Sequence, residues 1–355
     1  MRKKRLGIFG VPFIFLLVAS LPAAGQQPHP TLRVGNYGGV FTASQKKYAG
    51  DLFTARTGIK IEYIDGNSSD HLAKLIASRG RVAPYDVVYL DDINQSQAIE
   101  AGVVDRLDPE IVTNLQFLFP EARNKDGYGP GMIFYSIGIA YNSRKFEEAG
   151  IAVPNSWADL WNPKLSGRVA APDLSIAMGR DFLLAAAILE GGDENSLEKG
   201  VAKIATLKVH SYPSSSATIE ALMKSGDVWV VPWVNGRAWG LTDQGLPVRY
   251  ILPKEGGFGH TTTIDLVKGS PVAKEAQAYI NLVLDPLPQL GQANEIPYGP
   301  TNSLLASVLA AYPSLARKFP SSPEDIKQLR QIDWVTFNRN FPNAISLWNR
   351  QVLSR

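Results

Sequence analysis

The sequence predicts an α/β protein with two domains, and two observations carry this prediction. Short apolar strands alternate with amphipathic helices at the spacing of parallel βαβ units. About 330 residues would remain after removal of a leader, which exceeds what one hydrophobic core usually supports. The hydrophobic fraction of 45% is ordinary for a globular protein and excludes no globular class.

The first hundred residues show the alternation most clearly. Residues 32–36 and 60–64 have the character of strands, and residues 86–90 form a short apolar run typical of a buried strand. Helices are predicted at residues 41–57, where Gly58 follows at a position that commonly ends a helix, and at residues 69–79. This order predicts a parallel sheet with helices on both faces.

A second α/β region follows an apolar stretch at residues 132–141. Trp157, Leu160 and Trp161 lie at i, i+3 and i+4 behind Ser156, an N-cap residue type with Asp159 three positions later, so they predict one face of a short helix. Strands are predicted at residues 169–171 and 228–233. Helices are predicted at residues 181–189, 215–224 and 273–284, and in the tail after residue 322.

The N-terminus has the pattern of a secretory signal peptide. Residues 2–5 are basic, residues 6–21 are apolar, and the small residues Ala23, Ala24 and Gly25 follow. We therefore predict that residues 1–25 are a signal peptide and that the mature protein is located in the periplasm. No later segment is apolar enough to span a bilayer, so no direct membrane insertion is expected after cleavage.

Charge and cysteine content exclude several classes of partner and chemistry. The leader holds four basic and no acidic residues, so its removal changes the formal net charge from +3 to 3 − 4 = −1. A chain without a basic excess gives no reason to expect nucleic acid as a partner. The sequence has no cysteine, which excludes disulfides, a lipid-anchoring cysteine and thiolate chemistry. We expect a free monomer.

No catalytic or metal-binding motif is present, so we predict that the protein is not an enzyme. The sequence contains no HExxH pattern, no GxSxG nucleophile elbow and no GxxxxGK[ST] phosphate loop. Its four histidines, His29, His71, His210 and His260, have no metal-ligand spacing. We therefore expect neither a cofactor nor a metal.

Candidate binding residues in the first region lie where strands end. Ligands of open α/β sheets bind beyond the carboxyl ends of the strands, and two polar segments stand there. They are the turn Asn36, Tyr37, Gly38 and Gly39, and the pair Asp91 and Asp92. The alternative for the turn is a purely structural role, and the alternative for one of the two aspartates is an exposed helix N-cap.

Candidate residues in the second region are Ser215, Trp233, Asn235 and Arg237. Ser215 precedes a helix, where a hydroxyl serves as an N-cap at least as readily as it binds a ligand. An aromatic side chain at a strand end can stack on a ligand, which makes Trp233 a candidate. Arg237 could pair with a ligand carboxylate or with a nearby aspartate.

Four segments resemble, in the same order, periplasmic solute-binding proteins of the spermidine/putrescine-binding type. They are TGIKI at residues 57–61, SWADLWNPKLSGRV at residues 156–169, PKEGG at residues 253–257 and IPYGPTN at residues 296–302. Together they span nearly the whole mature chain. The resemblance implies the extracellular component of an ABC importer, which captures one small polar solute and delivers it to an inner-membrane ABC permease.

The resemblance also implies a two-lobed periplasmic-binding-protein fold of the class II type. Each lobe would be a mostly parallel sheet flanked by helices, and the chain would cross the hinge three times, near residues 132–141, 258–263 and 298–301. We therefore predict that residues 31–135 and 259–297 form the first lobe, and that residues 136–258 and 298–355 form the second. The ligand would lie in the cleft between the lobes, as in a venus-flytrap clamp.

Departures from the family pattern bear on the charge of the ligand. Polyamine binders hold ammonium groups with carboxylates, because an unpaired buried cation is costly. In this chain Asp173 alone stands near the family's acidic pair, and Ser175 follows it. After PKEGG the sequence includes His260, Thr261 and Thr262, with Thr262 at the position of the family's acid.

These departures favour a carboxylate-bearing or zwitterionic solute. The alternative is polyamine binding, in which Asp91, Asp92 and Asp173 would hold the ammonium groups of spermidine or putrescine. An enzyme on the same fold is less favoured, because the thiamin-degrading transferases that resemble binding proteins need a cysteine nucleophile, and this sequence has none.

Overall fold

The computed structural model describes residues 31–79 and 81–354. The predicted signal peptide, residues 1–25, lies outside the described residues. Within those residues, no helix has both the length and the apolar character needed to cross a membrane.

The first part of the chain alternates strands and helices as predicted. Gly58, in the left-handed conformation at φ +75°, ends the second helix, as predicted from its position. The elements are β1 (Thr31–Asn36), α1 (Gly39–Gln45), α2 (Asp51–Thr57), β2 (Lys60–Asp65), α3 (Ser68–Ala77), β3 (Val87–Asp91), α4 (Asp92–Glu100) and β4 (Val104–Asp105).

The middle part of the chain opens on a long buried strand and continues with short strands and helices. Its elements are β5 (Gly131–Asn142), α5 (Ser143–Glu148), β6 (Val169–Ala170), α6 (Ala177–Leu189), α7 (Leu197–Ile204), β7 (Val209–Ser211), α8 (Ser216–Ser225), β8 (Val230–Val234), α9 (Asn235–Asp243) and β9 (Val248–Ile251). The predicted helix behind Ser156 is a 3-10 helix, Trp157–Trp161, and Ser156 and Asp159 form its capping box.

The last part of the chain begins with a second long strand and ends with a long helix. Its elements are β10 (Phe258–Val267), α10 (Ala273–Val283), α11 (Pro286–Glu295), β11 (Gly299–Pro300), α12 (Ala306–Ala310), α13 (Pro313–Ala316), α14 (Pro323–Lys327) and α15 (Trp334–Trp348). The sequence predicted the tail as helical, and α14 and α15 confirm it.

The sheet is mixed, with parallel pairs at both ends and antiparallel strands in the middle. Its main order is β2-β1-β3-β10-β5-β8-β6-β7. β1 pairs in parallel with β2 and β3, and β6 pairs in parallel with β7 and β8. The central strands β5 and β10 are antiparallel to each other and to their other neighbours. These two long strands join the two lobes.

Two separate sets of buried side chains form the cores of the lobes. The first set packs around β1, β3 and α10 and includes Leu32, Val34, Tyr89 and Tyr279. The second set packs around α6, α7 and α15 and includes Trp157, Leu160, Phe182, Val201 and Trp348. Trp157 and Leu160 thus form the buried face that was predicted for the short helix. The fold is the two-lobed α/β architecture expected from the sequence.

The segment after β11 follows the predicted third crossing of the hinge. β11 pairs with the start of β5, where Gly299 lies opposite Phe134. Asn302 Nδ2 then donates to the backbone oxygen of Leu284, and Leu309 packs with α11 residues in a small cluster. Further along, the Lys318 backbone oxygen accepts from Asn235 Nδ2, and the Lys318 ammonium pairs with Asp243 on α9 of the second lobe. The segment between β11 and α14 thus contacts both lobes, and α15 packs in the second core.

Candidate functional site

The turn after β1 meets the end of β3, as the rule for open α/β sheets predicts. The Tyr37 hydroxyl donates to Asp91 Oδ1 at 2.8 Å. Gly38 adopts φ +79°, a conformation that favours glycine, and a Cβ there would stand 3.0 Å from the carboxylate of Asp65. The predicted turn therefore places Tyr37 beside Asp91 and leaves Gly39 exposed.

A buried histidine joins one aspartate from each lobe. His260 on β10 has Nδ1 at 3.1 Å from Asp92 Oδ2 and Nε2 at 2.7 Å from Asp181 Oδ2. Asp92 begins α4 in the first lobe, whereas Asp181 lies on α6 in the second. The His260 and Asp181 side chains are 1% and 0% exposed. We call Asp91, Asp92, Asp181 and His260 the Asp–His cluster.

Aromatic rings surround the Asp–His cluster. The ring of Tyr135 on β5 stacks on the imidazole of His260, with centroids 5.1 Å apart and an interplanar angle of 17°. Trp334, at the start of α15, lies 5.8 Å from the same imidazole between centroids. Tyr298 contacts Tyr135 at 6.0 Å between centroids. A charged cluster with aromatic walls can hold a small organic cation by ion pairing and by cation–π contact.

Burial and charge act in opposite directions on the ionisable groups of the cluster. Burial raises the pKa of Asp181 above its usual range, and the charge of His260 opposes that rise. Burial likewise raises the pKa of Asp91, whereas the hydrogen bond from Tyr37 lowers it. Burial by itself lowers the pKa of His260, but the charges of Asp181 and Asp92 outweigh it and raise the pKa well above 6.5.

Two buried polar atoms near this site have no hydrogen-bond partner among the described residues. They are Asp181 Oδ1 and Asn36 Nδ2. Buried polar atoms are normally hydrogen-bonded, because leaving one unpaired costs about 1–3 kcal/mol. The free oxygen of Asp181 can accept a hydrogen bond from a bound amine, and the amide of Asn36 can donate one to a bound polar group.

Arg180 adds a cation beside the cluster. Its Nε and Nη2 atoms donate to the backbone oxygens of Leu174 and Ser175, at 3.1 and 3.0 Å. The charges of Asp91 and Asp181 both act on it. Its Nη1 atom has no hydrogen-bond partner within the described part of the chain and can donate to a carboxylate.

A groove of about 280 Å³ opens beside Arg180. Its walls come from both lobes, with Arg180 and Phe341 on one side and residues of α3 and α4 on the other: Ser69, Leu72, Ala73, Ile76, Ile93, Asn94 and Gln97. The groove is therefore an opening between the lobes, and it has a mostly apolar lining with one guanidinium in it.

Thr261 and Thr262, both predicted from the sequence, continue β10 beyond His260. Thr262 is buried and lies opposite Asp91 in the register of β10 and β3. Thr261 is half-buried and lies opposite Phe134 on β5. Thr262 is thus adjacent to the cluster.

Several residues that the sequence predicts as ligand contacts hydrogen-bond to structural partners, and none of these hydrogen bonds reaches the Asp–His cluster. Asp173 Oδ2 accepts from Trp348 Nε1 at 3.2 Å, and Asp173 Oδ1 accepts from the backbone nitrogen of Ser175 at 2.9 Å. Ser215 caps α8 by accepting from the backbone nitrogen of Thr218. The observed contact of Ser215 is thus the structural alternative, a helix N-cap.

The remaining second-lobe candidates are likewise engaged in packing and structural contacts. Trp233 is completely buried, and its Nε1 donates to Ser216 Oγ at 3.2 Å. Asn235 donates from Nδ2 to the backbone oxygen of Lys318 at 2.7 Å. Arg237 is half-exposed and stands 3.8 Å from Glu220, so its acidic neighbour is a glutamate on α8.

Sequence reasoning missed Asp181 and Tyr135. The signal for Asp181 was an acid directly before the apolar run FLLAAAIL. A buried charge on a mostly apolar helix needs a partner. Tyr135 lies in the apolar stretch at residues 132–141, where no local pattern marks the ring that contacts His260. No group of three or more metal-ligating side chains suited to a metal ion occurs among residues 31–79 and 81–354.

Comparisons with known proteins agree on the family and the fold. A profile of the family described as "Bacterial extracellular solute-binding protein" matches residues 49–316. A Pseudomonas aeruginosa protein named "Gamma-aminobutyric acid-binding protein" is 24% identical over 97% of this chain and 96% of its own length. A Salmonella typhimurium "Spermidine/putrescine-binding periplasmic protein" is 26% identical over 80% and 81% of the two chains.

Among solved structures, an ABC transporter substrate-binding protein from Bradyrhizobium japonicum superimposes with a TM-score of 0.78. The sequences are 22% identical, and the match covers 91% of this chain and 100% of the other. This likeness shows that the two proteins share a fold.

Proposed function

The chain belongs to the family of bacterial extracellular solute-binding proteins, and we propose that its ligand is a small zwitterion with one ammonium group and one carboxylate. The protein is the solute-binding component of an ABC importer and captures a small solute for a permease. The cleft between the lobes, beside the Asp–His cluster, is the proposed binding site.

The charge balance of the site carries this proposal. Asp91, Asp92 and Asp181 supply three carboxylates, while His260 and Arg180 supply two cations. One negative charge is therefore left for the ligand to neutralise, because an uncompensated buried charge is costly. One ligand ammonium, placed against Asp91 and the free oxygen of Asp181, would balance the site.

Arg180 supports the carboxylate end of the ligand. Arg180 lines the groove that opens between the lobes, and guanidinium–carboxylate hydrogen bonds are among the stronger ones in proteins. The Pseudomonas relative named for binding gamma-aminobutyric acid supports the same ligand class, since that compound carries one amine and one carboxylate.

The structure changes the reason for preferring a zwitterion. The sequence suggested a site poor in acids, with Asp173 as the only one near the second-lobe motif. Asp181 supplies the missing acid instead, eight residues further along the chain. A site with three carboxylates is not a simple anion site, and the ammonium of the ligand becomes as important as its carboxylate.

Polyamine binding is the second candidate, and the relatives named for spermidine and putrescine favour it. Three carboxylates would suffice for two ammonium groups if neither His260 nor Arg180 were charged. The charges of both side chains disfavour a dication by simple Coulomb repulsion. With a zwitterion as the ligand, five of the predicted residues would support the lobes and would not contact the ligand: Asp173, Ser215, Trp233, Asn235 and Arg237.

We propose further that the mature protein is a monomer in the periplasm, without enzymatic activity, and that cleavage follows Ala24 or Gly25. The proposed lobes are residues 31–135 with 259–297, and residues 136–258 with the chain from residue 298 onward. Mass spectrometry of the mature N-terminus tests the cleavage site, and finding the intact leader in a membrane fraction would contradict it.

The ligand proposal is tested by native mass spectrometry of the freshly purified protein, followed by calorimetry. The calorimetric panel is gamma-aminobutyric acid, putrescine, spermidine, n-butylamine and butyrate. The amino acid should bind at least about tenfold more tightly than either single-charge analogue, because both charged ends are recognised. Tight spermidine binding with no response to amino acids or organic acids would restore the polyamine assignment.

A further inference from the structure

His260 sits where a positively charged group of a ligand could sit, between two carboxylates from opposite lobes. We propose that His260 is a built-in cation that occupies Asp92 and Asp181 and so limits the ligand to a single ammonium group. This inference rests on the proposed function and deepens it, because it assigns the charge selectivity of the site to one residue.

The hydrogen-bond geometry favours the charged form of the imidazole between two carboxylates. Both ring nitrogens of His260 lie within 3.1 Å of a carboxylate oxygen, Nδ1 at Asp92 and Nε2 at Asp181. A neutral imidazole has one N–H donor, so one of the two contacts would set a lone pair against a carboxylate. Only the imidazolium donates on both sides.

The surroundings of His260 favour the same state. The charged and titratable groups that face it from every packed element are Asp91 on β3, Asp92 on α4, Tyr135 on β5, and Arg180 and Asp181 on α6. Three negatively charged carboxylates and one positively charged guanidinium therefore surround the imidazole. Burial raises the pKa of Tyr135 well above 10.0, so its phenol stays neutral, and Trp334 carries no charge.

This arrangement has a direct consequence for ligand charge. Because the imidazolium already engages both oxygens of Asp92 and one of Asp181, a second ligand ammonium would compete for occupied acceptors and would be repelled by a like charge. The first ammonium still finds Asp91 and the free Oδ1 of Asp181. The clamp can therefore bind a monocation end while it discriminates against diamines.

The test compares three proteins by calorimetry with putrescine and gamma-aminobutyric acid as probes. His260→Gln removes the internal cation and should raise the ratio of putrescine affinity to gamma-aminobutyric acid affinity by at least about tenfold. The double variant His260→Gln/Asp92→Asn removes one positive and one negative charge together. Its ratio should stay within about threefold of the wild type, because the net charge of the site is restored.

A second measurement needs no ligand. In the unliganded protein, the NMR signals of the His260 imidazole are assigned by their loss in the double variant. Their ¹⁵N and ¹³C chemical shifts should be those of an imidazolium at about pH 7.5, above the usual pKa of histidine. Asp92→Asn and Asp181→Asn should each weaken this preference for the charged form. The exposed His210 provides a reference signal in the same spectra.

The outcomes separate the inference from the proposed function. A neutral His260 in the wild type, or a double variant whose selectivity shifts as much as that of His260→Gln, would overturn the inference. If His260→Gln does not fold, the wild-type imidazole spectrum and the double variant still decide. A wild type that binds neither probe would contradict the proposed function, while the spectrum would still show whether His260 is an internal cation.

Discussion

Tyr135 and His260 are directly opposite each other on the antiparallel strands β5 and β10, and their rings stack with centroids 5.1 Å apart. This cross-strand pair holds the imidazole in an orientation that aims one nitrogen at each lobe. The two strands that join the lobes thus also position the group that links Asp92 to Asp181. The strands that join the lobes therefore also carry residues of the proposed binding site.

Replacing Tyr135 by leucine should weaken ligand binding about twofold to tenfold, because a stacked aromatic pair contributes about 0.5–1.5 kcal/mol beyond its buried area. Tyr135→Phe keeps the ring and serves as the matched control. Calorimetry with gamma-aminobutyric acid measures the effect. Equal losses in both variants would show that the hydroxyl, and not the stacked ring, matters.

Asp181→Asn should lower the affinity for an amine-bearing ligand by roughly tenfold to a hundredfold, since a hydrogen bond to a charged group contributes about 1.5–3 kcal/mol. Asp173→Asn is the control, because the amide oxygen that replaces one carboxylate oxygen can still accept from Trp348 or Ser175. Calorimetry with gamma-aminobutyric acid measures both variants. If the Asp173 variant loses more affinity than the Asp181 variant, the original sequence assignment of the acid is right.

Arg180→Gln should weaken gamma-aminobutyric acid binding and leave n-butylamine binding nearly unchanged, because the guanidinium is expected to contact only the carboxylate end. Arg237→Gln should affect neither compound, since Arg237 is half-exposed and lies beside Glu220. Both variants are measured by the same titrations. A carboxylate effect that follows Arg237 instead would move that end of the ligand to α9.

Asp265 predicts a pH dependence of stability that is independent of the ligand. Burial raises its pKa from 3.8 to about 6, against the hydrogen bonds from Thr263 and Gln95. The folded state therefore binds the proton more tightly than the unfolded state, and this contribution is complete below pH 3.8 and lost as the pH rises through about 6. The shift corresponds to a contribution on the order of 3 kcal/mol.

Urea unfolding between about pH 4 and pH 7 should show this slope in the wild type and a smaller one in Asp265→Asn. The exposed Asp126 gives the control variant Asp126→Asn, which should keep the wild-type slope. Parallel curves for all three proteins would contradict the raised pKa of Asp265.

Ligand binding should close the clamp. Because a ligand between the lobes contacts both, it favours the closed state by its differential contacts. Small-angle X-ray scattering of the wild type should give a smaller radius of gyration with saturating ligand than without it. Asp181→Asn at the same ligand concentration should contract less, and an unchanged wild-type radius would argue against closure.

Local sequence patterns determined much of the fold. Ser156 caps the short helix as predicted, within a capping box that includes Asp159, and Gly58 ends its helix as its position predicted. Alternation of strands and helices predicted the two α/β lobes. These features depend on residues that are close in the chain, where side-chain spacing and backbone preferences decide the conformation.

Long-range packing decided the rest. The sequence predicts a third crossing near residues 298–301 but not the partners of the segment that follows, in which Asn302 hydrogen-bonds to Leu284 and Lys318 to Asn235. No local pattern encodes which lobe an amphipathic segment covers, because either lobe can bury the same apolar face.

The site illustrates the same division. The turn at Tyr37 and the acid Asp91 were predicted from strand ends, because the carboxyl ends of parallel strands share one edge of a sheet. Asp181 is 79 residues from His260 in the chain, and only the folding of α6 against β10 brings its carboxylate to 2.7 Å from the imidazole. Pairing between charges that are this far apart in the chain sets which groups of the site are ionised. Tertiary structure therefore decided the charge of the proposed ligand.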